Sequence, residues 1–85
     1  MSRATEPHLL LQACDLILWY AGNLEAQARA LDHEIAQARA TNPPDRATVA
    51  KLLRERRELM RHAQETRRRA EADRARILAG LRGPQ

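Results

Sequence analysis

The fold is decided by residues 10–38, which read LLQACDLILWYAGNLEAQARALDHEIAQA. Apolar or small residues recur in this stretch at alternating spacings of four and three, at Leu10, Cys14, Ile17, Ala21, Leu24, Ala28, Leu31, Ile35 and Ala38. This alternation keeps one stripe of an α-helix facing a partner helix. We therefore expect a long first helix that packs along a neighbouring helix through this stripe, which we call the seam.

The first helix is expected to cover about residues 6–40. Thr5 is a suitable N-cap, and Glu6 and Pro7 favour the first turn through charge and a fixed φ. Gly22 is the glycine inside this helix, and it has two interpretations. It is either a tolerated defect that costs about 1 kcal/mol relative to alanine, or a site where another helix approaches closely.

The two helices are separated by the turn at residues 41–45, Thr-Asn-Pro-Pro-Asp. A proline pair prevents the first helix from continuing through this point. Asn42 or a residue just after it is expected to cap a second helix over about 44–80, with Asp45 in its first turn. Gly80, Gly83 and Pro84 are expected to end that helix, leaving a tail over 81–85. Two long helices joined so closely fold back as an antiparallel hairpin.

The second helix has a seam of lower quality. Its positions are Val49, Leu52, Arg56, Leu59, Ala63, Thr66, Ala70, Asp73 and Ile77. In a hairpin that turns near residue 42, large apolar residues fill the half near the turn, where Leu24, Leu31 and Ile35 are expected to meet Leu52, Val49 and Leu59. Beyond His62 the apolar residues are alanines until Ile77 and Leu78. The end of the hairpin opposite the turn, here called the open end, therefore lacks large side chains on its second helix.

The first helix is apolar nearly all round at the open end, which is typical of a buried helix. The residues expected to contact an oligomer partner or another protein are Leu9, Leu11, Leu16, Leu18, Trp19 and Tyr20. A hairpin of this size also buries little apolar surface by itself. We therefore expect an all-α protein, a single-domain two-helix antiparallel coiled-coil hairpin that assembles into a dimeric four-helix bundle or a higher helical oligomer.

Charge is divided unequally between the helices. Residues 1–42 carry a net charge of −2, and residues 43–85 carry +6. Across the hairpin, the acidic residues Glu25, Asp32 and Glu34 are expected to face Arg54, Arg57 and Arg61. The remaining positive charge is concentrated in Arg67, Arg68, Arg69, Arg74 and Arg76. This group has three interpretations. It is a solvated helix face, a surface that binds the anionic groups of RNA, DNA or a nucleotide, or a surface that fits an acidic groove of another protein.

Composition argues against catalysis. The chain has 85 residues, no Phe and one cysteine, Cys14, which lies on the seam where a small buried residue is expected. His8, His33 and His62 are too far apart for the close spacing of a metal site. We therefore expect that the protein is not an enzyme and that it binds no cofactor or metal. The apolar run 9–21 is shorter than the roughly 20 residues that span a bilayer, and a cytoplasmic location without membrane contact is expected.

The alanine and leucine layers, with a cysteine at one seam position, resemble in kind the repressor-of-primer hairpin of plasmids. The length and topology are also similar to helical-hairpin co-chaperones of type III secretion and to small phage-encoded inhibitors. The resemblance is one of shape, which does not fix function. From the residues themselves we expect a non-enzymatic adaptor or regulator of bacterial or phage style that self-associates and binds a protein, with anion binding by the arginines as the alternative.

Overall fold

The computed structural model describes residues 6–82, and within them the chain forms two α-helices and no strand. Helix α1 spans Glu6–Ala40 and helix α2 spans Arg46–Arg82. The two helices pack against each other along their length, so the prediction of an all-α helical hairpin is confirmed. Thr5, Gly83 and Pro84, expected at the helix ends, lie outside the described residues.

The hairpin is a single layer of helices. Its extents are 65 × 21 × 12 Å, and the smallest is about the diameter of one helix with its side chains. Each helix is therefore covered by its neighbour on one side, while both broad faces of the hairpin are open to solvent.

The core follows the seam, and small residues dominate it. The buried residues are Cys14, Ala21, Leu24, Ala28, Ile35 and Ala38 on α1, with Leu52, Ala63 and Ala70 on α2. Ala21, Ala28 and Ala63 have no exposed surface at all. Because alanine carries only a methyl group, these layers let the two helix backbones approach closely.

Two seam positions near the open end do not bury their side chains as expected. Leu10 is 53% exposed and Ile17 is 42% exposed. For Ile17 the physical reason is the short side chains on α2 near its height, where Ala70 is the buried seam residue. Leu10 lies beside Ile77 and Leu81 in a shallow depression at the ends of the helices, which leaves half of its side chain uncovered. The prediction of a poorly covered open end is thus confirmed, and the expectation that Leu10 and Ile17 are seam core residues is wrong.

The turn is held by a cap at Asp45. The carboxylate of Asp45 accepts hydrogen bonds from the Thr48 backbone N–H at 3.1 Å and from the Thr48 hydroxyl at 2.7 Å. The Thr41 hydroxyl lies 2.8 Å from the carbonyl oxygen of Ala38 and accepts the Asp45 backbone N–H at 3.0 Å. The Asn42–Pro43 peptide bond is cis. Asp45 is therefore the N-cap of α2 and not, as expected, a residue of its first turn.

Gly80 does not end its helix as the sequence suggested, and Gly22 is not a site where α2 approaches closely. Helix α2 continues through Gly80 to Arg82, so the expectation that Gly80 ends it is wrong. Leu81, one turn after Ile77, lines a shallow depression together with Ile77 and Leu10, which extends the packing of α2 past the glycine. At Gly22 an added Cβ would meet nothing within 4 Å, so α2 makes no close approach there.

Candidate interaction surface

One broad face of the hairpin is closed by ion pairs between the helices. Arg56 bonds Asp32 at 2.7 Å, Arg67 bonds Glu25, and Arg74 lies 3.4 Å from Asp15. The three arginines are separated by 11 and 7 residues, close to whole numbers of helical turns, so they project from the same side of α2. We call this side the ion-pair face.

The Glu25–Arg67 pair is the least exposed of the three. The side chain of Glu25 is 19% exposed and that of Arg67 is 34% exposed. The hydrogen bond from Arg67 lowers the pKa of the Glu25 carboxyl below its ordinary value, and the same hydrogen bond raises the pKa of Arg67. The pair therefore favours the charged form of both groups at neutral pH.

The arginine partners of the acidic residues differ from those expected. Glu25 and Asp32 bond Arg67 and Arg56, whereas Arg61 bonds Glu58 at 2.8 Å and Glu65 at 3.1 Å within its own helix. The cross-helix pairs are symmetric about residues 44–46 rather than about residue 42. Because α2 begins at Arg46, about two residues later than expected, the residues of α2 lie nearer the turn than the sequence suggested.

The opposite broad face is apolar at the open end. On α1, Ala13 and Tyr20 each precede a buried seam residue, whereas Asp15 and Glu25 each follow one. A helix turns by about 100° per residue, so the two sets lie on opposite sides of the seam. The residues on the side away from the ion pairs are mostly large and apolar, and we call them the apolar face: Leu9, Leu10, Ala13, Leu16, Ile17 and Tyr20.

The apolar face is open to solvent. Leu9 is 61% exposed, Leu16 is 67% exposed and Tyr20 is 47% exposed. From α2 this side receives one aromatic contact, in which the rings of Tyr20 and His62 meet edge to face at 6.0 Å between centroids. Large apolar side chains that cluster on a surface in this way mark interaction sites more often than isolated ones do.

The residues expected to form the interface lie on different surfaces. Leu9, Leu16 and Tyr20 belong to the apolar face, while Trp19 is 69% exposed on the outer surface of α1, where it lines a shallow depression together with Leu16. Leu18 is half-buried on the ion-pair face and lines a depression there with Asp15 and Arg74.

Leu11 is likewise half-buried, one turn before Asp15 on the same side. The six expected interface residues could have been assigned to these different surfaces from the sequence, because the helix period of α1 and the short side chains of α2 are both visible in it.

The arginines expected to bind anions are mostly engaged with carboxylates. Arg67 bonds Glu25, Arg74 lies beside Asp15, and Arg76 bonds Asp73 at 3.2 Å. Arg68 and Arg69 are exposed, and neither has an ion pair with a described residue. The group thus divides into three arginines with carboxylate partners and two that face solvent.

Chemically reactive groups are dispersed in the part of the chain that the structure describes. Within residues 6–82, no three His, Cys, Asp or Glu side chains are placed to hold a metal ion together. Cys14 is buried in the seam, while His8, His33 and His62 are exposed at separate heights along the hairpin.

Over residues 6–82, neither helix has the length of apolar sequence that crossing a membrane requires.

Comparison with protein-family models, with curated proteins and with solved structures gives no match.

Proposed function

We propose that this protein is a non-enzymatic adaptor or regulatory protein that packs the apolar face of α1 against helices of other protein molecules, including its own copies. The observation that carries the proposal is the exposure of Leu9, Leu16 and Tyr20 on the broad face that α2 leaves uncovered. Burying a large apolar side chain contributes about 1.5–3 kcal/mol relative to leaving it in water. A helix that docks on this face therefore gains stability from several side chains at once.

The division of charge supports the same role. The ion-pair face is already neutralised by contacts between α1 and α2. On the apolar face the exposed residues of α1 carry no charge between Leu9 and Asp15, or between Leu16 and Leu24. Interface cores are depleted in charged residues and enriched in aromatic ones. This composition suits protein docking better than contact with a polar ligand.

Anion binding by the arginines of α2 is the alternative, and it receives weaker support. An RNA or nucleotide phosphate would have to compete with Glu25, Asp15 and Asp73 for three of the five arginines. Arg68 and Arg69 remain accessible. This alternative would be favoured over protein docking by RNA binding that weakens steeply as the salt concentration rises and that is abolished in an R68Q/R69Q double variant.

The proposal is tested by thermal unfolding, followed by circular dichroism at protein concentrations that differ a hundredfold, with the mass measured by light scattering. We expect the helical fold to be stable only in association, so that dilution lowers the unfolding midpoint. A partly unfolded monomer would also agree with the proposal, because such a chain would need the helices of another protein to complete its fold. A stably folded monomer whose midpoint does not change with concentration would contradict the proposal.

A variant pair locates the surface. Leu16→Asp places a charge in the middle of the apolar face, whereas Ala30→Asp places one at an exposed position of α1 toward the turn. We expect the first substitution to abolish association and the second to leave it unchanged. Equal effects of the two substitutions would mean that the apolar face is not the docking surface.

A further inference from the structure

Along the apolar face, the order of large and small side chains allows two copies of the face to pack against each other. Leu9, Ala13, Leu16 and Tyr20 follow one another at spacings of four, three and four, and all are exposed. In an antiparallel helix pair, the first residue of such a series meets the last residue of the other series. A second α1 would bring Leu9 opposite Tyr20, and Ala13 opposite Leu16.

We propose that the apolar face binds a second copy of this chain, with the two α1 helices antiparallel about a two-fold axis that passes between residues 14 and 15. The inference rests on the proposed function and specifies its partner. A two-fold axis makes both copies use the same surface, which requires such self-complementarity. In the same register Leu10 lies within one residue of the height of Tyr20 of the second copy, and Ile17 within one residue of the height of Ala13, so the two partly exposed seam residues also fall within the overlap.

The charges of α2 fit the same axis. The Asp15–Arg74 ion pair lies nearest the axis and places residue 74 close to the height of residue 15, so the axis crosses α2 near residues 74 and 75. His62, which contacts Tyr20, is followed on the same side of α2 at alternating spacings of four and three by Thr66, Arg69, Asp73, Arg76 and Gly80.

Two of these residues are of opposite charge and lie on either side of the axis. The two-fold axis brings Asp73 of one copy opposite Arg76 of the other, and the reverse. Within one chain Arg76 bonds Asp73 at 3.2 Å, and their side chains are 77% and 46% exposed. Four alternating charges would therefore close one side of the interface. Arg69 would lie opposite Gly80, where the absence of a side chain leaves room for the guanidinium.

The other way of stacking two apolar faces is less favourable. A two-fold axis parallel to the helices would place each α1 over the α2 of the second copy. Leu9, Leu16 and Tyr20 would then face Arg69, Asp73 and Arg76. Charges covered by apolar side chains lose hydration without gaining a partner, so this arrangement is disfavoured.

The accessible surface of the chain is consistent with a partner of this size. The hairpin exposes 6653 Å², whereas a compact monomer of 9.7 kDa exposes roughly 5,100 Å². The difference is about 1,500 Å², and a stable interface of ordinary size buries about 800 Å² on each partner. The chain as a whole therefore exposes an excess of surface over a compact monomer that is larger than one side of such an interface.

The register is tested by disulfide cross-linking in a Cys14→Ala background. Leu9→Cys and Tyr20→Cys are prepared as separate chains, and Ala30→Cys serves as a control outside the overlap. In a dimer of one variant, each introduced cysteine lies about 11 residues, or roughly 16 Å along the helix, from the same cysteine of the second copy. This distance is too long for a disulfide. We expect no covalent dimer from either variant alone, and a covalent dimer when the two variants are mixed. Ala30→Cys is expected to form none in any combination.

The other outcomes identify which step fails. A dimer by light scattering that gives no disulfide in the mixture, or one that links Leu9→Cys to itself, overturns the antiparallel register. A partly unfolded monomer overturns the second copy as the partner while leaving the proposed function in place. A fully folded monomer overturns both. Within the expected dimer, Leu16→Asp should weaken association at least about a hundredfold.

Discussion

At the scale of single residues, Asp45 is the clearest determinant of where α2 begins. Its carboxylate accepts both a backbone and a side-chain hydrogen bond from Thr48, and these hydrogen bonds lower the pKa of Asp45. We expect Asp45→Ala to lower the thermal unfolding midpoint by about 4–8 °C, since a lost N-cap leaves helix N–H groups unsatisfied. Asp45→Asn keeps an acceptor oxygen and should lower the midpoint less. Equal losses in the two variants, followed by circular dichroism, would argue against the cap.

Glu25 is the residue whose titration should affect stability. The hydrogen bond from Arg67 holds the pKa of Glu25 in the folded chain below its ordinary value of 4.5. The unfolded chain therefore binds this proton at a higher pH than the folded chain does. The contribution of the pair is fully present above about pH 4.5 and is lost as the pH falls through the lowered pKa.

We expect Glu25→Gln to flatten the dependence of the unfolding free energy on pH below 4.5. The measurement is urea unfolding at a series of acidic pH values. Glu34→Gln, an exposed change on the same helix, is the control and should leave the slope unchanged. If Glu25→Gln has the same slope as the parent chain, the Arg67 pair does not persist in solution.

At the scale of the helices, the seam depends on alanine layers. Ala28 has no exposed surface, so a larger side chain there must push α1 away from α2. We expect Ala28→Leu to reduce the unfolding free energy by about 1–3 kcal/mol through overpacking. Ala30→Leu adds the same side chain two residues later on an exposed position and should change it by less than about 0.5 kcal/mol. A stabilising effect of Ala28→Leu in urea unfolding would show that the helices are not closely packed there.

The helices themselves could be predicted from the sequence because two strong local signals coincide. The alternation of four and three along α1 marks its buried stripe, and Pro43 and Pro44 mark the turn. The partners of Glu25 and Asp32 could not be predicted, since a shift of a few residues in the turn changes which arginine each one meets. Long flexible side chains can bond neighbours in either helix, and sequence alone does not rank these choices.

The candidate surface could be predicted in part. Leu9, Leu16 and Trp19 were recognisable as lying away from the seam, and they are exposed. The exposure of Leu10 and Ile17 depends on what α2 places opposite them, which is a property of two segments together. The helix period alone places Leu18 and Leu16 on different sides of α1, and the structure adds that the side of Leu18 is the one that carries the ion pairs.

At the scale of the whole molecule, the proposed dimer has a characteristic length. The hairpin measures 65 Å along its longest axis. An axis between residues 14 and 15 overlaps the two hairpins only at their open ends, so the dimer should extend over roughly 90–100 Å at 1.5 Å per helical residue. Small-angle X-ray scattering measures this maximum dimension directly. A dimer no longer than one hairpin would instead indicate side-by-side packing of α1 on the α2 of the second copy.

The antiparallel topology also determines where this protein tolerates attachment. Glu6, Leu10 and Leu81 line one depression, so the beginning of α1 and the end of α2 lie together beside the apolar face. A fusion partner or affinity tag joined at either terminus would thus be positioned next to the surface proposed to bind a second copy. The turn at residues 41–45 is exposed at the far end of the hairpin. A fluorophore or a tether for surface immobilisation belongs there, where it leaves the docking end free.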